Sequence, residues 1–289
     1  MQISCVEAPT CVGGENPLWH QASGSLFYID NTGMKIHRHD PDSGENHTWD
    51  MLEVITTLAF REGGGGVVTL RSGIHLLDFE SGKLELLHPL PDPPPHVYND
   101  GRVDGQGRFL IGASTATFDA PKADGGLFRL DTDRTLHKLD GDIHFSNSPC
   151  FSPDGRTFYF SDSWRKTTYV YDYDPATGSA INRRVFVDTA ELGGLPDGAT
   201  VDAEGRVWIA IYGSGKIAAY APDGRLERTV EMPVKLVSSL AFGGADLDRL
   251  FVTTIAQGAL GEPFESGAGN LYVVDGLGVR GQAEHAYAG

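Results

Sequence analysis

Cysteine is scarce in this chain, and the few cysteines follow no recognisable pattern. The three of them, Cys5, Cys11 and Cys150, cannot pair into an even disulfide framework, and no CxxC pair is present. The spacing therefore supports neither a disulfide-stapled secreted domain nor a cysteine-zinc site.

Basic residues and long apolar runs are lacking as well. The 23 Lys and Arg stand against 39 Asp and Glu, a formal net charge of −16. Because phosphate groups are neutralised by clustered Lys and Arg, this balance argues against nucleic acid or an anionic membrane as a partner. No apolar run approaches the roughly 18 residues of a membrane-spanning helix, and the N-terminus resembles no signal peptide. We therefore expect a soluble, cytoplasmic protein.

Several catalytic signatures are missing too. The chain contains no GxSxG, HExxH or GxxxxGK[ST] motif, and no GxGxxG that opens a helix. Of the ten histidines, His144 lies nearest to the site predicted below. We expect His20, His37, His39 and His75 at surface positions of strands or loops.

Glycine, by contrast, is abundant, and its positions reveal a repeat. Its 37 residues are spread along the chain and mark many turns. Six times an apolar residue is followed by a Gly-bearing turn and a short β-rich run, which together predict a hairpin. The six apolar residues are Trp19, Phe60, Val103, Phe151, Val201 and Phe242. A second predicted hairpin follows each first one.

Four short strands repeated six times, about 40–50 residues apart, are typical of propeller blades. A β-sandwich does not show such similarity from unit to unit. The pattern predicts an all-β protein: a six-bladed β-propeller of four-stranded antiparallel blades, with residues 1–289 as a single domain. Residues 1–14 are expected to supply the outer strand of the last blade and so to close the ring.

Each repeat also carries a polar residue four positions before its apolar residue, where the first strand of the blade begins. The six are Glu15, Thr56, Asn99, Asn147, Asp197 and Ser238. We expect them to surround the central channel. Hydrogen bonds to channel water would explain polar residues there, but two confined carboxylates repel each other unless a proton or a cation lies between them. An all-oxygen set suits Ca²⁺, Mg²⁺ or Mn²⁺, with Zn²⁺ and Fe²⁺ less expected.

Two long segments, Ser114–Gly125 and Ala256–Ala268, follow predicted second strands and would overhang the same end of the blades. Long loops in compact repeat folds are commonly functional, although a tolerated surface insertion is the alternative. Asp30, Arg71 and Tyr212 end second strands and are further candidates for lining the site.

Several motifs, taken in order along the chain, resemble those of the SMP-30/gluconolactonase/regucalcin family. They are Gly14–Trp19, Tyr98–Gly101, Phe145–Asn147, Ser152–Gly155, Pro196–Gly198 and Gly276–Gly281. The resemblance covers nearly the whole chain and implies a six-bladed propeller that hydrolyses sugar lactones with one divalent metal ion. Position by position, it implies Glu15, Asn147 and Asp197 as metal ligands, Asp197 also as the base, and Asn99 as a substrate-binding amide.

The chain departs from the family pattern at a few positions. Many members have an Arg two residues before the Asn that matches Asn99, where this chain has Val97. The motif glycines that follow the metal-binding Glu and Asn are Asn16 and Ser148 here. The metal-binding positions are therefore kept, while the residues that select the substrate differ.

Together these features predict a gluconolactonase-like lactonase, a carboxylic ester hydrolase that opens a sugar (aldono-) lactone to the aldonic acid. The ion would polarise the carbonyl and activate water, Asp197 would take the proton, and Asn99 would orient sugar hydroxyls. The alternatives are a non-catalytic calcium- or ligand-binding regulatory propeller, or another esterase chemistry such as phosphotriester hydrolysis. The expected partner is the small-molecule lactone, and the oligomeric state, monomer or dimer, is left open.

Overall fold

The structure is a computed structural model, and it describes residues 1–91, 94–116, 122–257 and 265–289. Over these residues the chain forms 24 β-strands and one short 3₁₀-helix, Ala190–Leu192. No helix in this part of the chain has the length and apolar character needed to cross a membrane.

The strands pair into six four-stranded antiparallel sheets, which we number as blades in chain order. After β1 (Gln2–Cys5), the first three blades are formed as follows. Blade 1 contains β2 (Gly14–His20), β3 (Ser25–Asp30), β4 (Lys35–His39) and β5 (Asn46–Asp50); blade 2 contains β6 (Ile55–Phe60), β7 (Gly66–Leu70), β8 (Gly73–Leu77) and β9 (Leu84–Pro89); blade 3 contains β10 (His96–Val103), β11 (Phe109–Thr115), β12 (Gly125–Leu130) and β13 (Leu136–Ile143).

The remaining three blades complete the set. Blade 4 contains β14 (Ser146–Phe151), β15 (Thr157–Asp162), β16 (Thr167–Asp174) and β17 (Ser179–Asp188); blade 5 contains β18 (Leu195–Val201), β19 (Val207–Tyr212), β20 (Lys216–Tyr220) and β21 (Leu226–Glu231); blade 6 contains β22 (Val237–Gly243), β23 (Arg249–Thr254), β24 (Tyr272–Asp275) and β1. The six blades confirm the predicted six-bladed β-propeller. In blade 6 the outer strand is β1, which pairs with β24.

The blades fall into two compact units. The first unit, residues 1–52 and 189–284, holds blades 1, 5 and 6, and the second, residues 53–188 and 285–289, holds blades 2, 3 and 4. Within each unit the first strands of successive blades pack against each other. That residues 1–289 form a single domain stays a prediction.

Burial falls from the first strands of a blade to the last. The second strands β3, β7, β11 and β19 are buried along their whole length, whereas the fourth strands β5 and β21 are mostly exposed. A strand that is covered on both faces has no solvent-exposed face, so its sequence is a continuous apolar run rather than an alternation of apolar and polar residues. The run Val207–Tyr212 is an example.

Cores between blades include four of the apolar residues that mark the repeat in the sequence: Trp19, Val103, Phe151 and Phe242. In the first unit, Trp208 and Phe242 lie in a cluster between blades 5 and 6, and Trp19 stacks on Phe251 at 5.7 Å between blades 6 and 1. In the second unit, Val103 lies in the cluster between blades 2 and 3. At these four positions the repeat therefore reflects packing between blades.

Candidate functional site

Each of the six polar positions predicted from the repeat lies at a break in strand register. Between the first and second strand of every blade the pairing shifts at or beside that residue. In blade 5, for example, Pro196 pairs with Ile211 and Ala199 with Ile209, so that Asp197 falls inside the irregularity. A bulge of this kind bends the strand and re-aims the side chain. At these six positions the regular strand pairing is therefore interrupted, and the direction of the side chain is changed.

The first unit holds the two predicted acids. Glu15 is the second residue of β2 and is half-buried, and Asp197 is the third residue of β18 and 8% exposed. Strand β22 packs against both β2 and β18. On β22, the Ser238 hydroxyl donates to the Gly14 carbonyl at 2.5 Å, and so fixes the backbone next to Glu15.

The second unit holds the two predicted amides, and they contact each other. Asn99 Nδ2 donates to Asn147 Oδ1 at 3.1 Å and to the Ser146 carbonyl at 2.7 Å. Asn147 is 4% exposed, and its Nδ2 donates to Ser163 Oγ at 3.0 Å. These bonds fix the orientation of both amides. Because the two N–H groups of Asn99 are engaged, its Oδ1 is the atom left to meet a ligand, as an acceptor.

Two residues that follow predicted metal ligands adopt a backbone conformation usual for glycine. Asn16, after Glu15, has φ of 47°, and Ser148, after Asn147, has φ of 60°. Both side chains are buried. Non-glycine residues are uncommon in this left-handed region, which Asn tolerates better than Ser. The backbone geometry of the motif is thus retained although its two glycines are replaced.

His144 and Asp162 form a hydrogen-bonded pair on the segment that leads into Asn147. The Asp162 carboxylate is fully buried, accepts the backbone N–H groups of His144 and Phe145, and contacts His144 Nδ1 at 3.0 Å. The His144 side chain is 24% exposed. Asp162 thereby fixes both the loop and the imidazole that the sequence marked as nearest to the site.

The surface positions expected for three other histidines are wrong. His37, His39 and His75 lie on the third strands β4 and β8 and are buried. Polarity suggested a surface location, but the third strands of these blades are themselves largely covered on both faces. Burial lowers the pKa of His37 and of His75.

One group of potential ligands was missed by sequence reasoning. Among the described residues, Cys11, Asp30 and His37 form the single cluster of three buried His, Cys or carboxylate side chains whose ligand atoms all lie within 4.8 Å of one another. Asp30, one of the predicted lining residues, is buried and accepts backbone N–H groups of Val12, Gly13 and Gly33. Pairing of β3 with β4, and the hydrogen bonds from Val12 and Gly13 to Asp30, bring these three residues together.

The two predicted lid loops lie in part outside the described residues. Ser114–Gly125 includes residues 117–121, and Ala256–Ala268 includes residues 258–264, none of which the structure describes. Of the other predicted lining residues, Tyr212 ends β19 and Arg71 directly follows β7.

Comparisons with known proteins agree with the fold and with the motifs. The family model described as "SMP-30/Gluconolactonase/LRE-like region" matches residues 13–256. Regucalcin of Xenopus laevis is 33% identical over 297 residues, covering 100% of this chain and 99% of that protein. Pentonolactonase XacC of Haloferax volcanii is 33% identical over 281 residues, covering 95% and 94%. The solved structure of the calcium-binding protein regucalcin from Agrobacterium tumefaciens has a TM-score of 0.89 and 28% identity, covering 98% of this chain and 96% of that one. The chain therefore belongs to the SMP-30/gluconolactonase/LRE-like family.

Proposed function

We propose that this protein is a lactonase that hydrolyses a sugar (aldono-) lactone to the open-chain aldonic acid, with one divalent metal ion bound by Glu15, Asn147 and Asp197. The observation that carries the proposal is that Glu15, Asn99, Asn147 and Asp197 all occupy register-broken positions of first strands. Family membership and the similarity to a pentonolactonase support the reaction class.

The donor set fits a hard divalent cation. Two carboxylates and one amide oxygen are the ligand types that Ca²⁺, Mg²⁺ and Mn²⁺ prefer, and Zn²⁺ and Fe²⁺ also accept them. Asn147 Oδ1 is held in place by the Asn99 amide, the kind of outer-shell contact that orients a metal ligand. When bound, the ion would polarise the lactone carbonyl and lower the pKa of the attacking water.

Asp197 is proposed as the base. The water oxygen adds to the lactone carbonyl carbon, its proton passes to the Asp197 carboxylate, and the ring C–O bond then breaks. The proton returns to the departing ring oxygen, which becomes the new hydroxyl of the aldonic acid. A carboxylate that also ligates an ion is a weak base, so one Asp197 oxygen would hold the ion and the other would take the proton.

Asn99 is proposed to orient the sugar as a hydrogen-bond acceptor. Its two N–H groups donate to Ser146 and Asn147, so its Oδ1 would accept a bond from a sugar hydroxyl. Val97, half-buried on the same strand, offers an apolar contact where many members of the family have Arg. We infer that this chain selects a pentono-, hexono- or modified lactone with one fewer charged or polar contact at this position.

The test is a panel of aldonolactones assayed by acid release, after chelation and again after addition of each metal. We expect hydrolysis that is lost on chelation and restored by metal. Asp197→Asn should lower kcat by about 10²-fold or more, as expected for removal of a general base, while leaving cooperative unfolding intact. Thr56→Val is the matched control, because Thr56 occupies the equivalent position of blade 2 but is not assigned to the machinery. Wild-type kinetics in Asp197→Asn would contradict the assignment of Asp197 as the base.

A non-catalytic calcium- or ligand-binding propeller is the second candidate. It is favoured by the similarity to the Agrobacterium protein, which is described as a calcium-binding protein. Tight binding of Ca²⁺ without turnover of any lactone in the panel would support it over the enzyme. The cytoplasmic location stays a prediction. The oligomeric state, monomer or dimer, can be measured on the same purified protein.

A further inference from the structure

The buried cluster of Cys11, Asp30 and His37 in the first unit has the chemistry of a metal site. The three residues come from the segment before β2, the end of β3 and the middle of β4, and they are 2%, 3% and 2% exposed. We propose that this cluster, called here the Cys11 site, binds a zinc-class divalent ion that stabilises blade 1. The site is separate from the Glu15, Asn147 and Asp197 set, and the proposal does not rest on lactonase activity.

His37 has a ring nitrogen that lacks a partner. Its Nδ1 contacts Thr48 Oγ1 at 2.8 Å, while Nε2 is buried and makes no hydrogen bond within the described residues. His75 is the matching third residue of β8, and its two nitrogens contact the Gly73 carbonyl and Ser72 Oγ. A histidine at this strand position can therefore have both ring nitrogens hydrogen-bonded, whereas His37 has only one of its two nitrogens bonded. Its remaining nitrogen is the one available for a metal.

Asp30 holds the Cys11 segment against blade 1 and keeps some acceptor capacity. Its Oδ1 accepts the N–H groups of Gly13 at 2.8 Å and Gly33 at 3.0 Å, and its Oδ2 accepts that of Val12 at 3.0 Å. A carboxylate offers about four lone-pair directions, so one on Oδ2 remains. The residue thus pre-orders the segment that carries Cys11 and can still act as a ligand.

Cys11 supplies the soft donor. Its thiol makes a long contact of 3.9 Å with the Pro9 carbonyl, which is a weak bond to replace. Burial, reinforced by the Asp30 carboxylate, raises the pKa of the thiol, so Cys11 is protonated without an ion. Binding a cation therefore requires the thiol to lose its proton to solvent, and metal uptake should release a proton.

The donor types and their spacing suit zinc. Thiolate, imidazole and carboxylate are its usual protein ligands, and donors on a tetrahedral zinc ion lie about 3.3–3.8 Å apart. Since the present atoms all lie within 4.8 Å of one another, inward shifts of about 1 Å at most would close the site. Three protein donors leave one position to an exogenous ligand. The hard-ion set at Glu15 contains no sulfur or nitrogen, so the two sites call for different metals.

Cobalt(II) is the probe, because its bond to a thiolate gives an absorption band that bonds to oxygen and nitrogen do not. The full-length protein is unfolded, refolded with Co²⁺, freed of loose metal, and examined by absorption and metal analysis. We expect a thiolate-to-cobalt band in the wild type, with about one proton released for each ion bound at this site. The matched control is Cys150→Ala, which removes another buried cysteine that forms no disulfide and lies outside the cluster.

The band should persist in Cys150→Ala and in Glu15→Gln, and it should vanish in Cys11→Ala with the loss of one bound ion. A second measurement covers the case in which Cys11→Ala does not fold. Refolding of Glu15→Gln, which lacks one ligand of the other proposed set, at a zinc concentration a hundredfold above Kd should raise the folding constant about 100-fold over the same variant under chelation. Cobalt bound without a thiolate band, or the same band in Cys11→Ala, would overturn the proposal, as would a folding constant that zinc does not change.

Discussion

Gly198, the residue after Asp197, has no room for a side chain. A Cβ atom there would lie 2.0 Å from Ser239 Oγ, 2.5 Å from its Cβ and 2.8 Å from its Cα on the neighbouring strand β22. Ordinary contacts are 3.4–4 Å, so Gly198→Ala must push β18 and β22 apart by roughly 1 Å. Overpacking of this kind costs about 1–3 kcal/mol of the free energy of unfolding. A displacement of about 1 Å at a catalytic group costs about 10²-fold in activity.

The assay pairs urea unfolding with kcat/KM on the best lactone of the panel, at saturating metal. Gly155→Ala is the control, since Gly155 has φ of 65° with nothing within 4 Å of its added Cβ. That variant should lose about 1–2 kcal/mol from backbone strain and keep wild-type kcat/KM. The double variant Gly198→Ala, Ser239→Gly removes the Ser239 side chain, so the nearest of these atoms is then the residue 239 Cα at 2.8 Å. It should recover part of the lost stability and part of the lost kcat/KM. Wild-type stability and kcat/KM in Gly198→Ala would refute the reasoning, and so would an equal loss of kcat/KM in Gly155→Ala.

Three further outcomes are expected. Ser148→Gly should keep activity and change the free energy of unfolding by less than about 1 kcal/mol. Ser148→Val places a β-branched residue in a left-handed conformation and should lose at least about 1–2 kcal/mol in urea unfolding. Equal stability of the two variants would argue against the left-handed backbone at this position. Arg108→Met removes the ionic partner of the buried Asp104 carboxylate and should lower the free energy of unfolding by about 3–5 kcal/mol. The surface variant Arg225→Met should lower it by less than about 1 kcal/mol. Similar losses in the two variants would contradict the assignment of a buried ion pair. Burial lowers the pKa of His75, so the unfolded chain takes up its proton first as the pH falls. The contribution of His75 to stability should be complete above its ordinary pKa of about 6.5 and decline as the pH falls toward the lower folded value. Melting temperatures measured between pH 5 and pH 7.5 should show a shallower decline in His75→Gln, and an unchanged slope would count against this assignment.

The fold was predictable because its signal is local and repeated. Each blade places an apolar residue, a glycine turn and a short strand in the same order, and the inter-blade core needs the same residue types at each repeat. The polar positions could be found by counting back from residues such as Trp19 and Val201, because the offset depends only on where a first strand begins. At Asn16 and Ser148 the sequence shows only that motif glycines are replaced; the structure shows that both residues adopt the left-handed conformation usual for glycine.

Other features were decided only when the strands paired. The register breaks at Glu15 and Asp197 depend on how β2 and β18 meet their second strands, which no single strand encodes. Burial of His37 follows from cover on both faces of a third strand, so its polarity was a misleading guide. Cys11, Asp30 and His37 have no motif spacing, because they meet through β3–β4 pairing and through hydrogen bonds from the Cys11 segment to Asp30. The sequence by itself determined the six-bladed frame and its candidate oxygen ligands; tertiary structure decided which amide orients which, and that a thiol, a carboxylate and an imidazole share one buried space.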